Sequence, residues 1–168
     1  ASDVYKRQGE SILLCGEPWM GGGTNLEGGA RPADKRALDA LHERIGFFCD
    51  DTRDCIKGNV FDAANAGYVN GAPQHGYDVL HSISAWRSGA HGFWPKRAGQ
   101  VVQYVSAHDN YTLWDKLAAV GRRGDYDCPD ADLLAQNRMT AGIYLTCQGL
   151  PFMQAGEEWG RTCLLYTS

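Results

Sequence analysis

The sequence predicts an α/β fold with a parallel sheet. Short, mostly apolar runs alternate along the chain with longer segments of helical periodicity, which is typical of βα units. Apolar runs of this length suit strands that are buried on both faces. Acidic or histidine side chains follow the runs, and parallel α/β sheets bind their ligands at that carboxyl edge.

Four runs are predicted to be strands, at residues 11–15, 45–49, 101–105 and 150–153. The polar residues that follow these strands are Glu17, Asp50, Asp51, His108, Asp109, Glu157 and Glu158. A closed (β/α)8 barrel takes about eight strands and ~250 residues. The four strands therefore predict either a small open sheet or half of a barrel.

Three helices are predicted along with the strands. Residues 77–86 and 113–120 place apolar side chains three or four positions apart. Residues 130–147 form the longest helical pattern, with Asp130 as a candidate N-cap and Gly149 as a candidate stop.

Composition excludes some classes of protein. The 168 residues are 43% hydrophobic and 21% charged, which is a globular balance. A net charge of −4 without a basic face gives no reason to expect a nucleic-acid partner. No apolar run approaches the ~18 residues of a membrane-spanning helix, so no membrane partner is expected.

Cysteine and histidine spacing predicts no metal site. The six cysteines form no C-x-x-C pair and no zinc pattern, and buried free thiols are favoured over a disulfide framework. The histidines outside the predicted strand ends also lack a ligand spacing; they are His42, His75, His81 and His91.

Glu17 is the first candidate for chemistry. It follows an apolar run and precedes Pro18, which restrains the backbone, and Trp19, which offers a flat face to a sugar ring. The alternative is an ordinary loop glutamate at a helix N-terminus.

The second candidate group is His108, Asp109 and Asn110, three consecutive polar residues after the third run. A histidine can donate to a sugar hydroxyl, and a carboxylate can accept from hydroxyls or stabilise positive charge. The alternative is that Asn110 or Thr112 caps the following helix. Two carboxylates at parallel strand ends indicate glycoside hydrolysis, in which such groups flank the scissile bond.

Four segments, taken together, resemble type I pullulanases of the α-amylase superfamily. Residues 14–19 (LCGEPW) are similar to the strand-five motif of that family, and residues 48–58 (FCDDTRDCIKG) resemble its strand-six stretch. Residues 105–117 (VSAHDNYTLWDKL) look like the strand-seven motif, and residues 148–158 (QGLPFMQAGEE) like the strand-eight segment. The motifs occur in the order found in the family.

This resemblance implies a partial (β/α)8 barrel, approximately strands five to eight, over residues 9–162. The full-length enzyme is expected to cleave α-1,6 links of pullulan, starch or glycogen branches with retention. Its partner would be an α-glucan polysaccharide or oligosaccharide. No cofactor would be required, although a structural calcium ion is compatible with the full-length enzyme.

The resemblance also assigns roles. Glu17 would be the general acid/base, and Asp109 the carboxylate that stabilises the transition state. His108 would bind hydroxyls of the same sugar, Trp19 would stack on the leaving-group side, and Asn110 would assist there. The nucleophile is expected on strand four, outside the sequence, so the chain by itself is expected to be inactive.

Alternatives remain open within and outside the superfamily. They are an isoamylase, a glycogen debranching enzyme, an α-amylase, or a non-catalytic α-glucan-binding protein.

Two residues at strand ends depart from the family pattern: Cys15 replaces the usual tyrosine and Cys49 the usual asparagine. Glu157 and Glu158 are expected to be structural hydrogen-bonding groups and not part of the cleft rim.

The two end segments fit neither the strand nor the helix pattern. Residues 1–8 (ASDVYKRQ) and 163–168 (CLLYTS) resemble translated adapter sequence. We therefore expect them to be non-native.

Overall fold

The computed structural model of the chain describes residues 12–19, 28, 32–122 and 131–163. Residues 1–8, residues 164–168 and the candidate cap Asp130 lie outside the described residues. No helix in the described part is both long and apolar enough to cross a bilayer.

A four-stranded, wholly parallel sheet forms the centre of the structure, in the order β1-β2-β3-β4. The strands are β1 Leu14–Gly16, β2 Ile45–Phe48, β3 Val101–Gln103 and β4 Leu150–Pro151. The predicted α/β class with a parallel sheet is confirmed, with each strand shorter than its apolar run.

Four α-helices accompany the sheet: α1 Asp50–Lys57, α2 Gly76–Ile83, α3 Leu113–Arg122 and α4 Ala131–Tyr144. Short 3₁₀ helices lie at Lys35–Ala40, Tyr68–Asn70, Pro73–His75, Ala90–Gly92, Ala98–Gln100 and Glu157–Trp159. Helices α2 to α4 match the three predicted helices. Helix α2 ends three residues before Trp86, because Ala85 and Trp86 adopt left-handed backbone angles (φ 53° and 57°).

Helix α1 was not predicted. A single residue, Cys49, separates it from β2, with Asp50 and Asp51 in its first turn and Lys57 in its last. These charges complement the helix dipole. Its buried face includes Thr52, Arg53 and Lys57, so apolar periodicity gives little sign of it.

The expectation that each strand is buried on both faces is wrong for β1 and for β4, in which Pro151 is exposed. Leu14 is 63% exposed, whereas Val101 in β3 is fully buried. Strand β1 pairs only with β2 among the described residues, so it forms an open edge of the sheet.

A buried polar network links the sheet to two helices. Thr52 Oγ1 on α1 donates to Gln103 Oε1 (2.7 Å) and accepts from Trp86 Nε1 (2.8 Å). Gln103 Nε2 in turn donates to the backbone oxygens of Ser82 and Gln148, both at 2.8 Å. Because the Thr52, Trp86, Gln103 and Ser82 atoms of this network are buried, their bonds fix the sheet against the two helices.

The cysteines within the described residues are free thiols. Cys49, Cys55 and Cys147 are buried, as predicted, whereas Cys15 is exposed and Cys163 is half-buried. The exposure of Cys15 follows from its place on the open edge strand.

Candidate active site

Two polar segments meet at the carboxyl edge of the sheet. Glu17 directly follows β1, and His108 and Asp109 follow β3. The imidazole of His108 lies between the two carboxylates, with Nε2 3.2 Å from Glu17 Oε1 and Nδ1 3.0 Å from Asp109 Oδ1. The parallel strands thus bring these predicted side chains together.

The two carboxylates favour a cationic imidazole. The pKa of His108 is raised above its ordinary value, first by the hydrogen bond to Asp109, then by the charges of Asp109 and Glu17. The His108 side chain is 74% exposed and that of Glu17 is 41% exposed, so the cluster is open to a ligand from solvent.

Glu17, His108 and Asp109 each offer one atom that could coordinate a metal ion, and these atoms lie within 4.8 Å of one another. That spacing is compatible with a divalent cation as well as with the observed ion pairs. We assign no metal here.

The segment that carries His108 and Asp109 is held on both sides. Ser106 Oγ accepts from the Leu113 amide (2.7 Å), and Gln154 Nε2 donates to the Ala107 oxygen (2.8 Å). These bonds close the loop between β3 and α3 and tie it to the residues after β4.

Thr112, and not Asn110, caps α3. Its Oγ1 accepts from the Asp115 amide at 3.2 Å. Asn110 is exposed and adopts a left-handed backbone (φ 62°), a conformation that asparagine tolerates better than most residues. The alternative of a capping role is therefore correct for Thr112 and wrong for Asn110.

An open cavity of about 460 Å³ lies at this edge. Four predicted site residues line it: Glu17, Trp19, Asp109 and Asn110. Residues to which the sequence assigned no role in the site complete the lining: Phe48, Asp50, Arg53, Lys57, Phe61, Tyr104, Val105 and Ala107. Aromatic faces beside a few polar groups are what a sugar-binding cavity requires.

Arg53 is the most extensively bonded of the unpredicted lining residues. Its Nη1 donates to Tyr104 Oη at 3.0 Å, and its Nε pairs with Asp54 Oδ1 at 2.6 Å. The Tyr104 ring also packs edge-on against Phe48, with centroids 5.1 Å apart. These contacts fix one wall of the cavity.

Lys57 is a buried amine at the cavity wall. It is 1% exposed, and burial, followed by the charge of Arg53, lowers its pKa to about 7. Its Nζ donates to the Tyr111 oxygen at 2.7 Å.

Glu157 is also buried, at 4% exposure, and its Oε1 accepts from Tyr144 Oη at 2.6 Å. Burial raises the pKa of Glu157. Glu158 accepts from the Gly156 amide at 3.0 Å. Both contacts agree with the expected structural role of these two glutamates.

The fold and the site together define a class. A parallel α/β sheet carries carboxylates and an imidazole at its carboxyl edge, beside an open cavity with aromatic walls. This arrangement is that of a ligand-binding site in an α/β protein.

Comparison with known proteins identifies the relatives as pullulanases. The pullulanase of Bacillus subtilis (strain 168) is 35% identical over 156 residues, covering 90% of this chain and 20% of that protein. Pullulanase A of Streptococcus pneumoniae is 26% identical over 155 residues, covering 90% of this chain and 12% of that protein. No protein-family model matches the sequence.

Solved structures show the same relationship. Pullulanase from Bacillus acidopullulyticus superposes with a TM-score of 0.79 at 31% identity, covering 96% of this chain and 18% of that one. The Paenibacillus barengoltzii pullulanase in complex with maltohexaose and alpha-cyclodextrin also gives 0.79, at 32% identity, covering 96% and 25%.

The chain is thus a homologue of pullulanases over one part of their length, and the resemblance inferred from the four motifs is confirmed. It spans about a fifth of the length of the Bacillus subtilis relative.

Proposed function

We propose that the chain is the part of a pullulanase-type catalytic barrel that runs from strand five to strand eight. Its parent enzyme would hydrolyse α-1,6-glucosidic links in pullulan, starch or glycogen branches, with retention. The observation that carries this proposal is the Glu17–His108–Asp109 cluster beside an aromatic-walled cavity, in a homologue of pullulanases. Solved relatives were crystallised with maltooligosaccharides, which supports an α-glucan ligand.

Glu17 is proposed as the general acid/base. A retaining glycosidase needs one carboxyl group to protonate the departing oxygen and later to deprotonate water. In the structure Glu17 Oε1 lies 3.2 Å from His108 Nε2, and the Glu17 side chain lines the open cavity.

Asp109 is proposed to stabilise the oxocarbenium-like transition state. Its contact with His108 Nδ1 at 3.0 Å orients the imidazole toward the same sugar. Trp19 and Asn110 line the cavity and would bind the leaving-group side. The chain's own residues thus supply acid, stabiliser and sugar contacts.

The nucleophile is proposed to lie on a strand that precedes β1 in the parent enzyme. The covalent route needs a carboxylate that attacks the anomeric carbon, while the acid protonates the leaving oxygen. The chain alone would then bind glucan without cleaving it. We propose no cofactor for either step.

Pullulan hydrolysis by the chain joined to its upstream coding segment tests the proposal. Maltotriose is the expected product, and no cleavage of pullulan would overturn the α-1,6 assignment in favour of another member of the superfamily. Glu17→Gln should abolish most turnover while glucan binding remains, because the amide cannot donate the proton.

The matched control is Glu43→Gln, which removes an exposed carboxylate paired with Arg97. This variant should retain full activity. Near-normal activity of Glu17→Gln would show that the acid is assigned wrongly. Cleavage of pullulan by the 168-residue chain alone would show that the proposed missing nucleophile is wrong.

A further inference from the structure

Two buried lysines bond across the candidate site in a reciprocal manner. Lys57 ends α1, and its Nζ donates to the Tyr111 oxygen just before α3 begins (2.7 Å). Lys116 lies in α3, and its Nζ donates to backbone oxygens just after α1 ends, those of Asn59 (2.8 Å), Ala63 (3.4 Å) and Asp62. Each helix thus holds the loop attached to the other helix.

Both loops reach the cavity. The loop held by Lys57 carries Asp109 and Asn110, and the loop held by Lys116 carries Phe61. Phe61 is 82% exposed although it is a large apolar side chain. An aromatic ring kept in solvent at a cavity wall needs a backbone that holds it there.

Burying a lysine side chain costs free energy, so two buried lysines indicate a specific structural role. Lys57 is 1% exposed and Lys116 is fully buried. Burial lowers the pKa of both groups. A buried ammonium that donates to backbone oxygens offsets that cost only in a fixed geometry.

We propose that Lys57 and Lys116 are positioning residues. Lys57 sets the His108–Asp109–Asn110 turn, and Lys116 sets the Phe61 loop, so that the two walls of the cavity keep their spacing. The description of the cavity as a glucan site rests on the proposed function. The positioning roles of the two lysines do not.

Hydrogen exchange on the ligand-free 168-residue chain tests this proposal. In Lys57→Met, which fills the space but cannot donate, the buried Leu113 amide that Ser106 Oγ holds should exchange about tenfold faster. The hydrogen-bonded amides of Asn59 and Phe61 should not change. Lys116→Met should show the opposite pattern. Lys96→Met is the control, because Lys96 Nζ also donates to a backbone oxygen, that of Leu41 (3.0 Å), away from the cavity.

The titration of His108 by NMR provides a second reading. Lys57→Met should lower the pKa of His108 toward its ordinary value, because the turn that places Asp109 against the imidazole loosens. Lys116→Met should leave that pKa unchanged. If Lys57→Met does not fold, Lys57→Leu, which also cannot donate, is used for both measurements.

Uniformly faster exchange in both variants, or an unchanged His108 pKa in the folded Lys57 variant, would overturn the proposal. Neither measurement involves glucan. A failure of the proposed α-1,6 activity therefore remains distinguishable from a failure of the positioning role.

Discussion

Glu17 and His108 make contact across a strand that separates them. Glu17 follows β1 and His108 follows β3, with β2 between the two in the sheet, yet Glu17 Oε1 lies 3.2 Å from His108 Nε2. The contact is possible because both residues project from the same carboxyl edge. Because His108 contacts both Glu17 and Asp109, its pKa reports whether the residue after β1 and the residue after β3 are in place.

The pKa of His108 should depend more on Asp109 than on Glu17. The hydrogen bond and charge of Asp109 are the largest causes of the raised pKa. In an NMR titration, Asp109→Asn should therefore lower this pKa by more than Glu17→Gln. The resonances of His81, which pairs with Ser88 at 2.7 Å, provide an internal control. A larger effect of Glu17→Gln would contradict the order of these interactions.

Lys57 should make stability depend on pH. Its pKa is about 7 in the folded chain and 10.5 when unperturbed. Between those values the unfolded chain binds the proton and the folded chain releases it, so the free energy of unfolding rises with pH. The slope contributed is at most about 1.4 kcal/mol per pH unit. Below pH 7 the contribution of Lys57 should be constant.

Urea unfolding of the wild type and of Lys57→Met at pH 6, 8 and 9.5 measures this slope. The difference between the two proteins isolates Lys57 from the tyrosines and cysteines that also titrate. Equal pH profiles would show that the buried ammonium keeps its ordinary affinity for the proton.

Thr52→Val should destabilise the chain by about 2 kcal/mol. The substitution keeps the shape of the side chain but leaves Trp86 Nε1 and Gln103 Oε1 buried without the hydroxyl partner. Thr52→Ser retains the hydroxyl and should cost less than about 1 kcal/mol. Urea unfolding compares the two variants, and equal losses would indicate that the methyl group contributes as much to stability as the hydrogen bonds do.

Gly67→Ala should prevent stable folding. A Cβ at Gly67 would overlap the Gly58 nitrogen and the Ile56 carbonyl, which are backbone atoms that cannot move aside cheaply. Gly99→Ala is the matched control, since nothing lies within 4 Å of its added Cβ. Circular dichroism and thermal melting should show loss of the folded state in the first variant only.

Thiol labelling should separate the cysteines by burial. Cys15 is exposed and should react first with iodoacetamide at pH 8. Burial raises the pKa of Cys49 to about 12 and also raises that of Cys55, so both should react only after unfolding. Mass spectrometry of the labelled peptides gives the order. Rapid labelling of Cys49 in the native chain would mean that the β2–α1 junction is open.

The sequence predicted best the parts that depend on apolar pattern and strand direction. The runs at 45–49 and 101–105 became β2 and β3, and the side chains after the strands met at one edge. Helix α1 was missed because much of its buried face is polar. Arg53 and Lys57 lie on that helix, so these two residues of the cavity wall were not predicted either.

The exposure of β1 could not be predicted from its residues. Leu13 and Leu14 suit a buried strand, but burial depends on a neighbour that covers them, and a pattern says nothing about neighbours. The role of Thr112 as the cap of α3 shows the same kind of limit. Both Asn110 and Thr112 are suitable residues, and only the backbone geometry decides between them.

The open edge at β1 bears on how long the Glu17–His108 contact lasts. Strand β1 is three residues long, pairs with one strand within the described part of the chain and leaves Leu14 63% exposed. Such a strand opens locally at a free energy below that of global unfolding. Glu17 therefore follows an exposed edge strand, whereas Asp109 follows the fully buried β3. One carboxylate of the site can leave its place while the other stays, without the core coming apart.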